Sequence, residues 1–212
     1  MFIDVDASKI HVSPLPKRPD RTSVERLAQY PVALIGDTQD RMGMLSSELR
    51  PRTTHPRLAG SILPIYCREG DNLAVHRALE EIQPGDVLVI NAMGETTRAI
   101  IGGLIAEAAA LRGAVGIIID GSVRDIEELD AIGLPVYSRG VSPAGPYKFG
   151  PGSIGEAVAC GRVVCHPGHV IIGDSDGLIV LPPSRINEIA DTVENQENYE
   201  KKLKAKFRTA AI

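Results

Sequence analysis

Apolar positions change their period along the chain, and the changes mark out its elements. Val24, Leu27 and Ala28, then Val32, Leu34, Ile35 and Met42 after Pro31, recur at helical spacing until Gly43 supplies a stop, which predicts two short helices beginning near Ser23. From Leu58 to Cys67 the apolar residues around Gly60 and Pro64 read as strand. Asp71-Asn72 then caps a helix through Leu73, Val75, Ala78, Leu79 and Ile82. After the turn Pro84-Gly85-Asp86, the continuous run Val87-Leu88-Val89-Ile90 predicts a buried strand. A polar loop, an Ala-rich helix over Gly103–Leu111, a strand over residues 114–119 and a short helix from Asp125 to about Ile132 follow. Strand alternating with helix indicates α/β layers with part of the sheet parallel.

Beyond Pro135-Val136-Tyr137 the texture changes. Glycine and proline crowd residues 140–155, and short apolar runs at residues 163–165, 170–172 and 178–181 predict turns and short antiparallel strands. Pro182-Pro183-Ser184 opens a last helix through Ile186, Ile189, Ala190 and Val193, which turns charged by Glu197 and is expected to leave the core. The first residues hold Pro14, Pro16 and Pro19 and predict an extended arm that lies on something else. The organisation expected is an arm over residues 1–22, one α/β domain over residues 23–195, and a charged helix end over residues 196–212.

Composition narrows the functional classes. With 212 residues, 43% hydrophobic and 24% charged, the chain has enough length to bury one good core. Its 23 basic and 27 acidic residues give a formal charge of −4 with no basic block beyond the short tail around Lys201-Lys202, so no nucleic-acid partner is expected. No apolar segment approaches the roughly 20 residues of a membrane helix, and Met1 to Asp6 lacks the pattern of a secretory signal. A cytoplasmic protein without a membrane partner is expected. Cys67, Cys160 and Cys165 form no close pair and read as free thiols.

Candidate chemistry concentrates between residues 102 and 128. The missing side chains of Gly102 and Gly103 would let a ligand carboxylate approach the free N–H groups of Gly103, Leu104 and Ile105, or would simply permit close helix–strand packing. Twenty residues separate Gly103 from Arg124-Asp125, at the end of a buried strand, where α/β proteins bind ligands. Arg124 suits a two-point clamp on a carboxylate or enolate; the pair also reads as a surface ion pair with Asp125 as helix cap. Glu128 shares a helical face with Asp125, and two hard oxygen donors suit Mg²⁺ or Mn²⁺ with waters retained, or a solvated acidic face.

These residues resemble the family that joins class II pyruvate aldolases, of the 4-hydroxy-4-methyl-2-oxoglutarate and 4-carboxy-4-hydroxy-2-oxoadipate type, to the regulator of ribonuclease activity A. The likeness continues in Asp71-Asn72-Leu73-Ala74-Val75-His76, Pro84-Gly85-Asp86, Ser142-Pro143, Gly150-Pro151-Gly152 and Gly173-Asp174-Ser175-Asp176-Gly177, and covers about residues 23–195. The resemblance implies a compact α/β/β/α sandwich resembling the swivelling phosphohistidine domain, and a homotrimer or homohexamer with sites between subunits. It implies a divalent-metal lyase that releases pyruvate from a 4-hydroxy-2-oxo acid in the catabolism of aromatic compounds, with oxaloacetate decarboxylation as a second activity. In that pattern Asp125 is the metal ligand, Arg124 contacts the pyruvyl group, the amides of Gly103, Leu104 and Ile105 cradle its carboxylate, and Glu128 separates aldolase from ribonuclease regulator. Some members carry Asp where this chain has Gly103, so Glu128 or an acid of a neighbouring subunit, such as Glu194, Glu197 or Glu200, takes over its water-holding task. The other reading is a protein-binding regulator of ribonuclease activity, which needs no metal.

Several residues stand outside this site at the sequence level. His76 reads as a packing histidine, His166 and His169 flank a turn, and Asp174 and Asp176 suit turn chemistry. Lys148, in the Gly/Pro-rich loop, reads either as a contact to a distal carboxylate or as loop solvation.

Overall fold

Four layers stack around three separate cores in this computed structural model, which describes residues 6–210. Strands β3 (Leu58–Cys67), β4 (Asp86–Asn91), β6 (Gly116–Val123) and β7 (Val136–Val141) lie parallel in the middle of a ten-stranded sheet, with the short β2 (Arg50–Pro51) antiparallel to β7. Successive residues of a strand point to opposite faces, so one face buries Leu63, Ile65, Leu88, Ile90, Ile117 and Ile119. Against them pack α3 (Leu73–Ala78), α4 (Gly103–Leu111) and α5 (Ile126–Ile132). The opposite face buries Ile62, Val87, Val89 and Ile118 against the hairpin β9 (Val158–Cys160) and β10 (Val163–Cys165) and against the ribbon β11 (Val170–Asp174) and β12 (Gly177–Leu181).

That ribbon is apolar on both faces. Ile171, Leu178 and Val180 look inward, while Val170, Ile172, Ile179 and Leu181 look outward onto α1 (Arg21–Leu27), α2 (Val32–Asp37) and α6 (Ile186–Ala210). The result is helix, sheet, sheet, helix. The continuous Val/Ile/Leu runs of β4 and β6 follow from burial on both faces, as expected of parallel strands.

Several expectations change in detail. The helix after Asp71-Asn72 ends at Ala78 rather than Ile82, because Leu79, Glu80 and Glu81 close turns and Pro84 follows. The strand predicted over residues 114–119 begins at Gly116 and runs on to Val123, and a three-residue strand, β5 (Ala99–Ile101), pairs beside its end within what reads as polar loop. The first helix starts at Arg21, where Asp20 accepts from Ser23 N as cap. Within the arm, β1 (Ile10–Val12) pairs parallel with β8 (Gly152–Ile154), and Arg18 grips the buried Asp86 with two bonds of 3.0 and 2.8 Å. Residues 1–5 of the expected arm and 211–212 of the expected tail lie outside the described residues. All three cysteines are buried free thiols, and among the described residues no helix is long and apolar enough to cross a membrane.

Candidate functional site

The site forms at the C-terminal end of β6, where three elements are tied together by backbone bonds. Arg124 N donates to Ile101 O at 3.0 Å, which ties the β6 exit to the end of β5, and Ser142 N donates to Val123 O at 3.0 Å, which ties the β7 exit to it as well. Asp125 then takes a left-handed conformation (φ 59°, ψ 45°), which Asp tolerates better than most residues. This kink, at the cap position of α5, turns the Asp125 carboxylate away from its own helix: it caps nothing there and its Oδ2 instead accepts from Gly103 N at 3.2 Å.

Two glycines make that approach possible. A Cβ on Gly102 would overlap Asp125 Oδ2 and come within 3.0 Å of Arg124 Cγ, and a Cβ on Gly103 would overlap the carboxylate of Glu128. Asp125 and Glu128, three residues apart in sequence, therefore converge on the first turn of α4, and Gly103 and Glu128 are coupled choices: a side chain at one needs the space of the other. Arg124 Nε lies 3.4 Å from Asp125 Oδ2, with both side chains about two-fifths exposed. An ion pair so open to water contributes little to stability, which leaves both groups available to a ligand. Gly145 passes over the guanidinium, where a Cβ would stand 2.9 Å from Arg124 Nη1.

Of the three amides expected to cradle a carboxylate, that of Gly103 is engaged by Asp125, and those of Leu104 and Ile105 lie in the first turn of α4, where a helix has no internal acceptors to offer. The donor set suits a hard divalent ion. Asp125 and Glu128 offer carboxylate oxygens, and since no group of three His, Cys, Asp or Glu gathers among the described residues, an ion held there would retain several waters, as Mg²⁺ prefers.

The site opens into a cavity of about 270 Å³ whose lining adds Asn72, read from sequence as a cap, His76, read as packing, and Lys148, for which a ligand contact and loop solvation were both open. Asn72, the cap residue of α3, and His76, one turn on, together with Pro146 and Lys148 of the Gly/Pro-rich loop, face Gly102, Leu104, Arg124 and Asp125 across it. Asn72 Nδ2 donates to Ile100 O at 2.9 Å, whereas Asn72 Oδ1 and His76 Nδ1 are buried without a hydrogen-bond partner among the described residues. Burial, and next the Lys148 charge, push the His76 pKa down to about 4, so its imidazole is neutral. The signal for Asn72 was present in the Asp71-Asn72 motif; that for His76 was hidden, because an apolar helix segment looks the same whether its histidine faces core or cavity.

Layers and site together define an α/β protein that brings two carboxylates and a guanidinium to the bare start of a helix. The chain belongs to the RraA-like family: the Aldolase/RraA family model matches residues 32–180. It is 36% identical, over 82% of this chain and 83% of the relative, to a Halalkalibacterium halodurans protein named "Putative 4-hydroxy-4-methyl-2-oxoglutarate aldolase". Among solved structures, Streptomyces coelicolor RraAS2, described as an unusual member of the RNase ES inhibitor RraA protein family, matches with a TM-score of 0.78 at 27% identity, over 89% of this chain and all of that one. The RNA-processing inhibitor RraA from Thermus thermophilis matches with a TM-score of 0.67 at 27% identity, over 72% of this chain and 93% of that one.

Proposed function

We propose that this protein is a divalent-metal-dependent lyase that cleaves a 4-hydroxy-2-oxo acid into pyruvate and a second oxo acid, and that it also decarboxylates oxaloacetate. The observation that carries this reading is the convergence of Asp125, Glu128 and Arg124 on the amide end of α4. The aldolase name of the Halalkalibacterium relative supports it. Asp125 would hold Mg²⁺ or Mn²⁺, and the bound ion supplies Lewis-acid withdrawal of electrons from the 2-oxo group.

The chain's own groups then divide the work. Amides of the first α4 turn, at the positive end of the helix dipole, receive the substrate carboxylate. Arg124 faces the 2-oxo oxygen and stabilises the negative charge that gathers there as the C3–C4 bond breaks. Glu128, through a water that it orients, takes up the proton of the C4 hydroxyl, so that the C4 oxygen becomes the carbonyl of the departing oxo acid. C3 then takes a proton to give pyruvate. Decarboxylation of oxaloacetate leaves the same enolate with carbon dioxide as the departing group. The chain is further read as one subunit of a homotrimer or homohexamer.

Pyruvate release from 4-hydroxy-4-methyl-2-oxoglutarate and from oxaloacetate, assayed with Mg²⁺ or Mn²⁺ and again with EDTA, tests the reading. Activity is expected with the metal and a loss of at least a hundredfold in Asp125→Ala or after chelation. Full activity in EDTA overturns it, and so does Asp125→Ala cleaving at the wild-type rate. An inert protein that instead slows an RNA-degrading enzyme would favour the regulatory reading suggested by the Thermus structure.

A further inference from the structure

The turn His166-Pro167-Gly168-His169 joins β10 to β11, which pack on the face of the sheet opposite α4 and α5. Proline followed by a glycine of positive φ (78°) shapes a tight reversal, closed by His169 N donating to His166 O at 3.2 Å. Two more bonds fix it on β3, Gly168 N to Ile62 O at 3.1 Å and Ile62 N to His169 O at 2.7 Å. The turn so held brings both imidazoles together, their ring centres 4.8 Å apart and their planes tilted by 45°.

Backbone geometry accounts for Pro167 and Gly168, but it makes no demand for an imidazole at either end. Among the described residues neither ring makes a hydrogen bond or an ion pair. Both face a groove of about 780 Å³ walled by Pro14, Leu15 and Pro16 of the arm and by Pro182, Pro183 and Ser184. That wall carries no acid to pair with a protonated imidazole and no cation to repel an arriving ion. Burial, and next the charge of His166, lower the His169 pKa, so near pH 7 its ring is neutral and offers a lone pair.

The spacing suits two ligands of one ion. An imidazole nitrogen binds a borderline transition ion at about 2.0–2.1 Å, which puts each ring centre about 3.2 Å from the ion, and two rings about 90–110° apart round it then stand about 4.5–5.2 Å from each other. The observed 4.8 Å falls inside that interval. His166 is exposed and can turn its ring, whereas His169 is partly buried and held.

We propose that His166 and His169 form a cation site for a borderline transition ion such as Zn²⁺, Ni²⁺ or Cu²⁺, with water in its remaining positions. No group of three His, Cys, Asp or Glu gathers among the described residues, so the protein supplies two ligands only. The site shares no residue with the cavity at Asp125. Carboxylates there suit hard ions and imidazoles here suit borderline ones, so this proposal stands or falls independently of the proposed function.

Calorimetric titration of the full chain with Ni²⁺ at neutral pH, with Mg²⁺ in excess to occupy the carboxylates, is expected to show one site per chain of micromolar affinity. His166→Gln and His169→Gln should each weaken it at least about tenfold, and the double variant should lose little more, because two ligands of one ion are not independent. Electron paramagnetic resonance of bound Cu²⁺ should report two imidazole nitrogens in the wild type and one in either single variant. Protons compete for the same nitrogens, so binding should weaken as the pH falls below 6. No binding of Ni²⁺ overturns the proposal, and so does an affinity that neither substitution changes. Two weak sites, of which each variant removes one, would mean that the imidazoles act singly, and would overturn it as well.

Discussion

His76 shows how a single side chain links the site to the stability of the whole chain. Its folded pKa, about 4, lies below the ordinary value near 6.5 because the buried ring resists charging, with the Lys148 charge adding to the effect. Between those two values the unfolded chain binds more protons than the folded one, so stability is complete above about pH 6.5 and falls as the pH drops toward 4. Chemical denaturation is expected to lose roughly 1–2 kcal/mol between pH 7 and pH 5, and His76→Gln should remove most of that loss. A slope unchanged in the variant would place the titration elsewhere; His169, whose pKa burial also lowers, is the residue to examine next. At this scale the sequence was readable where chemistry forces residue type, as at Gly102, Gly103, Arg124 and Asp125. It read His76 only as packing and Asp71 only as a helix cap, because what else each one faces depends on which loop packs against it.

Elements were legible in proportion to how local their causes are. The run of β4 and the Gly-initiated α4 stand where the apolar pattern puts them, since burial on two faces and a capping glycine leave direct traces, whereas β6 starts two residues later than its apolar run and continues to Val123. By contrast β5 was missed, because three residues between Arg98 and Gly102 carry no period, and they become a strand only by pairing with the end of β6. The arm was expected to lie on something, yet its partners are β8 and Asp86, far along the chain and absent from any local pattern. The grip of Arg18 on Asp86 is the element contact with the clearest energetic consequence. Asp86 is fully buried, and among the described residues its remaining side-chain donor is Gln83 N at 2.9 Å. Arg18→Ala leaves that charge unpaired, and a loss of about 3–5 kcal/mol in urea denaturation is expected. Adding Asp86→Asn to Arg18→Ala should recover part of the loss. A cost below about 1 kcal/mol would mean that the arm contributes little to holding the start of β4.

At the scale of the whole molecule, the layer order is plain from three cores in space but could be written from the sequence only through family resemblance, because nothing local says that the β11–β12 ribbon turns its second face to α1, α2 and α6. What the single chain leaves uncovered is as informative as what it buries. Helix α6 spans 25 residues, some 37 Å at 1.5 Å per residue, yet beyond Val193 none of its described residues is buried. Tyr199 and Phe207 stand on that half about three-fifths exposed, and Leu104 and Leu111 on α4, at the edge of the candidate site, are about four-fifths exposed. Apolar side chains left open beside a binding site are a common mark of a surface that another subunit covers. Sedimentation equilibrium at micromolar concentration is expected to give a multiple of the 22.7 kDa chain, and ending the chain after residue 195, or introducing Leu111→Glu, should lower that multiple while circular dichroism still reports the fold. If the full chain sediments as a monomer, the site is complete within one subunit, and the α6 extension must serve some contact other than self-association.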